Sequence, residues 1–151
     1  MTELQKEYIE QNIHLIEEDK LEKFFTGAPI GTYEILTSAG IDVLSNLSYI
    51  HPSLCYNNEQ LTELYIPDNI HKIYYHAFSQ CSNLLHITLP KSLQYIDSIV
   101  FAATPSLHNI LFEGTKQEWR AIKKHYKWRE RSSIQSITCS DGVINFKAVN
   151  N

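Results

Sequence analysis

Between Leu61 and Gly114 the apolar residues return at a fixed interval. Leu61, Leu84 and Leu107 are 23 residues apart, and so are Leu64, Ile87 and Ile110, and Ile66, Leu89 and Phe112. Two full units also agree at Pro67 and Pro90, Ile70 and Leu93, Ile73 and Ile96, and Phe78 and Phe101. Inside each unit the pattern has a period of two: Leu64 and Ile66 point inward while Glu63 and Tyr65 point outward, the mark of a strand with one buried face. Pro67 and Pro90 end those strands, because proline has no N–H to give to a ladder. Ile70, Ile73 and Phe78 are spaced more widely, which predicts a return path of turns and short helical pieces rather than a second long strand. Repetition at 23 residues with an L-x-x-L-x-L core predicts an α/β solenoid of leucine-rich repeats, with a parallel sheet on one face.

The same register extends the array both ways. Subtracting one period places Ile41, Val43, Leu47, Ile50 and Cys55 in the core columns, so residues 41–60 read as an eroded first repeat. Erosion is expected there, since a terminal repeat must cap rather than stack. After Phe112 the segment KQEWRAIKKHYKWRE places Trp119, Ile122 and Tyr126 on one helical stripe, predicting a full helix in place of the third return path. Ile134, Ile137 and Cys139 resume the strand pattern; Asp141-Gly142 signals a turn, and Val143, Ile144 and Phe146 predict a strand that closes the last edge.

Ahead of the repeats, Leu4, Tyr8, Ile9, Ile13 and Ile16 predict a helix over about residues 3–17. Asp19 with Glu22 predicts the start of a second helix carrying Leu21, Phe24 and Phe25, and Thr32 the cap of a third that stops at Gly40. The expected organisation is an N-terminal helical cap over 1–40, a solenoid with its C-terminal capping helix over 41–142, and a closing strand and tail over 143–151.

The frame carried by Ile66, Pro67, Ile70, Ile73, Phe78, Cys81 and Leu84 recurs through Leu89, Pro90, Leu93, Ile96, Phe101 and Leu107, with Thr104 at the cysteine position. It resembles the BspA-type leucine-rich repeats over about residues 41–142. Phe112-Glu113-Gly114-Thr115, Glu118-Trp119 and Ile137–Gly142 are similar to that family's terminal unit. The resemblance implies protein binding, with no catalytic residues and no cofactor. Such repeats occur in bacterial surface proteins, and small unsecreted versions in phage and prophage genes.

Charge adds a polarity. Residues 1–25 carry seven acids against three bases, and residues 116–131 carry seven bases against two acids, within a net charge of −4. No apolar run approaches the ~20 residues that span a bilayer, and the acidic amphipathic start is unlike a signal peptide. Cys55, Cys81 and Cys139 lack the C-x-x-C spacing of a zinc site. A cytoplasmic protein, complete from Met1 and with no membrane partner, is the expectation.

The outward strand positions form the candidate partner-binding surface: Glu63 with Tyr65, His86 with Thr88, Asn109 with Leu111, and Ser136 with Thr138, together with Asp42 on the first repeat. Tyr65 and Leu111 are the expected anchors, being apolar groups that the core does not use. Arg120, Lys123, Lys124 and Lys127 on the basic helix are a possible charged contact. They suit an acidic partner or the acidic start of a second copy, as in a homodimer. A nucleic-acid backbone is the weaker alternative, because the whole chain is acidic.

No pair of the seven histidines has metal-binding helical spacing, and no nucleophile elbow or glycine-rich phosphate loop is present. The residues thus predict no catalysis, cofactor or metal, and the resemblance implies a non-catalytic protein-binding module, such as a small intracellular inhibitor or adaptor, with a phage-encoded antagonist of a host defence protein as one form suggested by analogy. The alternative is a small-ligand or nucleotide sponge, which needs a pocket where the N-terminal helices meet the first rung.

Overall fold

The computed structural model describes residues 1–147. Its repeats wind into a solenoid of about four turns, each completing one rung of two parallel ladders. The first ladder is built from β2 (Glu63–Tyr65), β4 (His86–Leu89), β6 (Asn109–Phe112) and β8 (Ser136–Cys139). Its register follows the period, with Leu64 beside Ile87 and Ile110 beside Ile137. Leu89 and Phe112 are paired in the same way.

The return path differs from the expectation. Instead of helical pieces it carries a second ladder of two-residue strands, β1 (Tyr49–Ile50), β3 (Lys72–Ile73), β5 (Tyr95–Ile96) and β7 (Lys123–Lys124). Ile50, Ile73 and Ile96 stack through it and are fully buried. The wide spacing of Ile70, Ile73 and Phe78 hid these strands because each contributes only one inward residue.

Two corners in each of the first three rungs, and one in the fourth, take left-handed backbone. Ser53, His76 and Ile99 form one column with φ of 58°, 58° and 44°; Asn57, Gln80, Ala103 and Arg131 form the other, at 54–62°. Backbone bonds continue between rungs through these corners, as from Cys55 N to the Ala77 oxygen and from Gln80 N to the Ala102 oxygen (both 2.8 Å). Those rung-to-rung bonds hold the corners in a region where a side chain costs about 1–2 kcal/mol.

The eroded first repeat keeps half of its rung. Val43, Leu47, Ile50 and Cys55 are buried in the predicted columns and β1 pairs with β3. Residues 41–43 form no strand, however, and Leu44–Asn46 is a 3-10 turn, leaving β2 as the edge of the first ladder. Asn69 covers this gap by donating its side-chain amide to the Leu44 and Leu47 carbonyls (2.8 and 2.6 Å).

At the other end the helix is much shorter than expected. α4 spans Lys116–Ala121, started by a capping box between Thr115 and Glu118, and the chain then drops into β7. Trp119 and Ile122 are buried as predicted, but Tyr126 is 83% exposed and Trp128 takes its place inside. The helical stripe failed because the second ladder captures residues 123 and 124. β9 (Gly142–Asn145) then pairs antiparallel with β8, placing Ile144 against Ile137 as the closing strand. The end of the predicted tail, residues 148–151, lies outside the described residues.

The N-terminal segment forms α1 (Glu3–Asn12), α2 (Leu21–Phe25) and α3 (Thr32–Ser38). α1 is shorter than expected and yields to a 3-10 turn over Ile13–Leu15. Its cap is Thr2, closed reciprocally by Gln5. Asp19 does not cap α2, which grows directly out of a 3-10 turn, and Thr32 is the first residue of α3 rather than its cap. Phe24, Phe25, Tyr33 and Leu36 join one core cluster that runs from Leu15 to Cys139.

His51 ties this cap to the first rung. It is 4% exposed, and its Nε2 lies 3.0 Å from the Glu22 carbonyl oxygen. Burial pushes its pKa below the usual 6.5. In the unfolded chain the ring takes up a proton near its ordinary pKa, so stability is full above about pH 6.5 and falls as pH drops from there towards the lower folded value. His76, lowered chiefly by burial, adds in the same direction, while Glu34, raised by burial, acts oppositely at lower pH. Thermal unfolding followed from pH 7.5 to 5 is expected to show a falling transition temperature. In His51→Gln, which keeps a donor but does not titrate, the fall is shallower.

Candidate protein-binding face

The outward side of the first ladder is built by strand alternation. Ile87, Leu89, Ile110, Phe112, Ile137 and Cys139 turn inward and are buried, so their neighbours must face solvent. Parallel pairing without slippage arranges those neighbours in two columns. One holds Tyr65, Thr88, Leu111 and Thr138, each beside the next. The other holds Glu63 beside His86 and Asn109 beside Ser136. All eight residues expected from the sequence therefore lie on one surface.

Their roles within it differ. The Asn109 Oδ1 accepts from the Ser136 hydroxyl at 2.8 Å and from the Thr138 hydroxyl at 3.0 Å, so these three polar groups hold one another. Tyr65 and Leu111 are 57% and 44% exposed. The Glu113 carboxylate raises the Tyr65 phenol above its usual pKa.

Sequence reading missed the far end of this surface. β9 adds Val143, 48% exposed, beside Thr138, and Asn145 beside Ser136. The closing strand was legible, but which of its residues would face outward depended on its pairing. Asp42 lies on no strand, contrary to expectation, and its carboxylate accepts from the Ser45 backbone N–H at 3.2 Å. It lines, with Tyr65, Tyr33, Thr37 and Ile41, a cleft of about 320 Å³ where the first rung lacks its strand.

The basic segment does not form one surface. Arg120, Lys123 and Lys127 are exposed, but Lys124 occupies the column of Ile50, Ile73 and Ile96. Its ammonium donates to the Trp119 and Ile122 carbonyls, both at 2.7 Å, and lies 5.0 Å from the Trp119 ring centre. Burial lowers its pKa. Lys124 is thereby corrected from a surface contact to a clamp on the end of α4, where it shares the Trp119 carbonyl with the Ile122 N–H. Lys127 pairs with Glu130 at 3.7 Å.

A groove of about 700 Å³ lies between α3 and the first rung, where the small-ligand alternative requires one. Glu34 and Glu59 line it with Asn57, Asn58 and Gln60. One buried Glu34 oxygen has no hydrogen-bond partner, and burial raises the carboxyl pKa. The two carboxylates repel a phosphate, which disfavours a nucleotide here. Among the described residues no group of three or more His, Cys, Asp or Glu side chains could hold a metal ion, and no helix is long and apolar enough to cross a membrane. The three cysteines are buried and unpaired; Cys81, whose thiol burial pushes up to about 12, donates to the Cys55 carbonyl.

A family model described as BspA type leucine-rich repeat region matches residues 34–126 in six copies. No curated protein and no solved structure matches the chain.

Proposed function

Because the chain belongs to the BspA type leucine-rich repeat family, we propose that it is a non-catalytic protein-binding module whose ligand face is the outward side of the first ladder. Leucine-rich-repeat solenoids typically serve as binding scaffolds, and their extended sheet faces suit recognition. The observation that carries the assignment is the column in which Tyr65, Leu111 and Val143 stand exposed on paired strands. Large apolar side chains on a rigid sheet are anchors of the kind that dominate binding energy.

Within that reading, the protein acts inside the cell as a small inhibitor or adaptor, of which a phage-encoded antagonist of a host defence protein is one form. Three free buried thiols fit a reducing compartment. The finer role rests on resemblance to small unsecreted relatives.

The test is affinity capture from source-cell lysate with mass spectrometry, comparing the natural chain with the double variant Tyr65→Ala/Leu111→Ala. Two anchors at about 2 kcal/mol each predict a loss of partner affinity of roughly 100-fold or more. Both side chains are exposed, so the thermal transition should move by only ~2 °C. Undiminished capture by the double variant places the binding site elsewhere.

A further inference from the structure

The second ladder carries a surface that the proposed binding face does not use. Its outward column runs Tyr49, Lys72, Tyr95, Lys123, each beside the next. Lys72 and Lys123 are exposed, and among the described residues neither has a carboxylate within ion-pair distance. At the Tyr49 end the column opens into a bowl of about 500 Å³, walled by Phe25, Ala28, Tyr49, Pro52 and Tyr74, with Thr26 and His51 as its polar members. The surface is thus a mainly aromatic socket followed by two unpaired cations in line.

α1 presents the complementary series. Tyr8 and Ile9 face the core, which turns Glu3, Glu7 and Glu10 outward, all exposed and without a cation partner among the described residues. Ile13 follows them, 65% exposed. The spacings agree. Glu3 and Glu10 are seven residues apart, about 10.5 Å along a helix, and Lys72 and Lys123 are two ladder steps apart, about 9.6 Å. Ile13 lies three residues beyond Glu10, about 4.5 Å, and the bowl begins one ladder step, about 4.8 Å, beyond Lys72. α1 is fastened to its own molecule, where the Tyr8 hydroxyl donates to the Phe24 carbonyl and the Gln5 amide to the Ile30 carbonyl. Its outer face therefore cannot fold back onto its own ladder.

We propose that the second ladder is a docking site for α1 of a second copy of this chain, with Ile13 in the bowl, Glu10 against Lys72 and Glu3 against Lys123. The site is separate from the Tyr65–Leu111 column, so self-association and partner capture fail independently. The attraction is between exposed charges and is screened by salt.

The experiment measures the solution mass of the full chain by sedimentation across concentration, at about 50 mM and about 500 mM salt. The expected result is a species of at least twice the monomer mass at low salt, weakened roughly tenfold or more at high salt. Lys72→Glu/Lys123→Glu and Glu3→Lys/Glu10→Lys should each remain monomeric alone, and mixing the two should restore association. That recovery distinguishes docking from damaged folding, while Tyr65→Ala/Leu111→Ala should associate normally. A natural chain that stays monomeric at low salt overturns the proposal. So does association that survives both charge reversals, or an absence of recovery on mixing. A monomer that instead retains a single-stranded oligonucleotide through Lys72 and Lys123 overturns it in favour of a polyanion.

Discussion

Phe101→Ala should lower the stability of the whole protein by about 3–5 kcal/mol, the range for emptying an aromatic site in a packed core. Phe101 is fully buried in the third rung. Its ring stacks on Phe78 at 5.7 Å and meets Trp128 edge-on at 6.4 Å. Both neighbouring rungs therefore lose contact with one truncation. In a solenoid, stability is approximately a sum of repeat and nearest-neighbour interface contributions, so weakening two adjacent interfaces in the middle of the array cannot be confined to one end. For a chain of this length the expected fall in transition temperature is roughly 10–15 °C. Calorimetry on the two proteins would measure it, and a shift of only ~2 °C would mean that the core closes over the gap.

Trp119→Ala removes a side chain of similar worth, about 3–5 kcal/mol, but its effect should be local. Trp119 stands between Phe112 at 5.3 Å and Trp128 at 5.5 Å, and Lys124 lies over its ring. Trp128 in turn meets Phe146, over which the Arg129 guanidinium sits at 4.1 Å. These groups seal the open end of the last rung. Loss of the seal should let β7, β8 and β9 open without the rest, since the energy of local opening varies along a structure. Hydrogen exchange should show protection lost at Lys123, Ile137 and Thr138 and kept at Ser53 and Cys55. Uniform loss along the chain would show that the cap and the first rung fold as one cooperative unit with the end.

Much of the architecture was legible because one physical pattern repeats. A buried strand needs an apolar residue at every second position, and stacking identical rungs brings those positions back every 23 residues. Leu64, Ile87 and Ile110 therefore specify both the first ladder and its register, and once the register is known Tyr65, Thr88 and Leu111 must share the opposite side. The second ladder was not legible, because two residues make no alternation. Nor were the corners, where Ser53, His76 and Ile99 take the same left-handed backbone without sharing a side-chain type or using glycine. Rung-to-rung hydrogen bonds impose that geometry, and of the seven corner residues Asn57 and His76 alone are of types that favour it.

At the last rung, local pattern and tertiary demand came apart. KQEWRAIKKHYKWRE has helical periodicity throughout, yet the structure keeps helix only to Ala121. Strand pairing of Lys123 with Tyr95 and of Lys124 with Ile96 continues a ladder already three strands wide. Nine residues separate Ile87 from Ile96, but fourteen separate Ile110 from Lys124, and the extra five make room for α4. The same pairing turns Lys124 inward to hold the α4 carbonyls and sends Tyr126 out to solvent.

By itself the sequence determined the repeat, the identity of the inward columns, the closing strand and the face that carries Tyr65 and Leu111. Each of these follows from periodic burial, which local residue types encode. The tertiary structure alone decided where α4 ends, which lysine turns inward, that Val143 lies beside Thr138 on the outward face, and that Lys72 and Lys123 stand in line beside an aromatic bowl. Those outcomes depend on which backbone groups find partners one rung away, and hydrogen bonding between rungs leaves no periodic trace in the side chains.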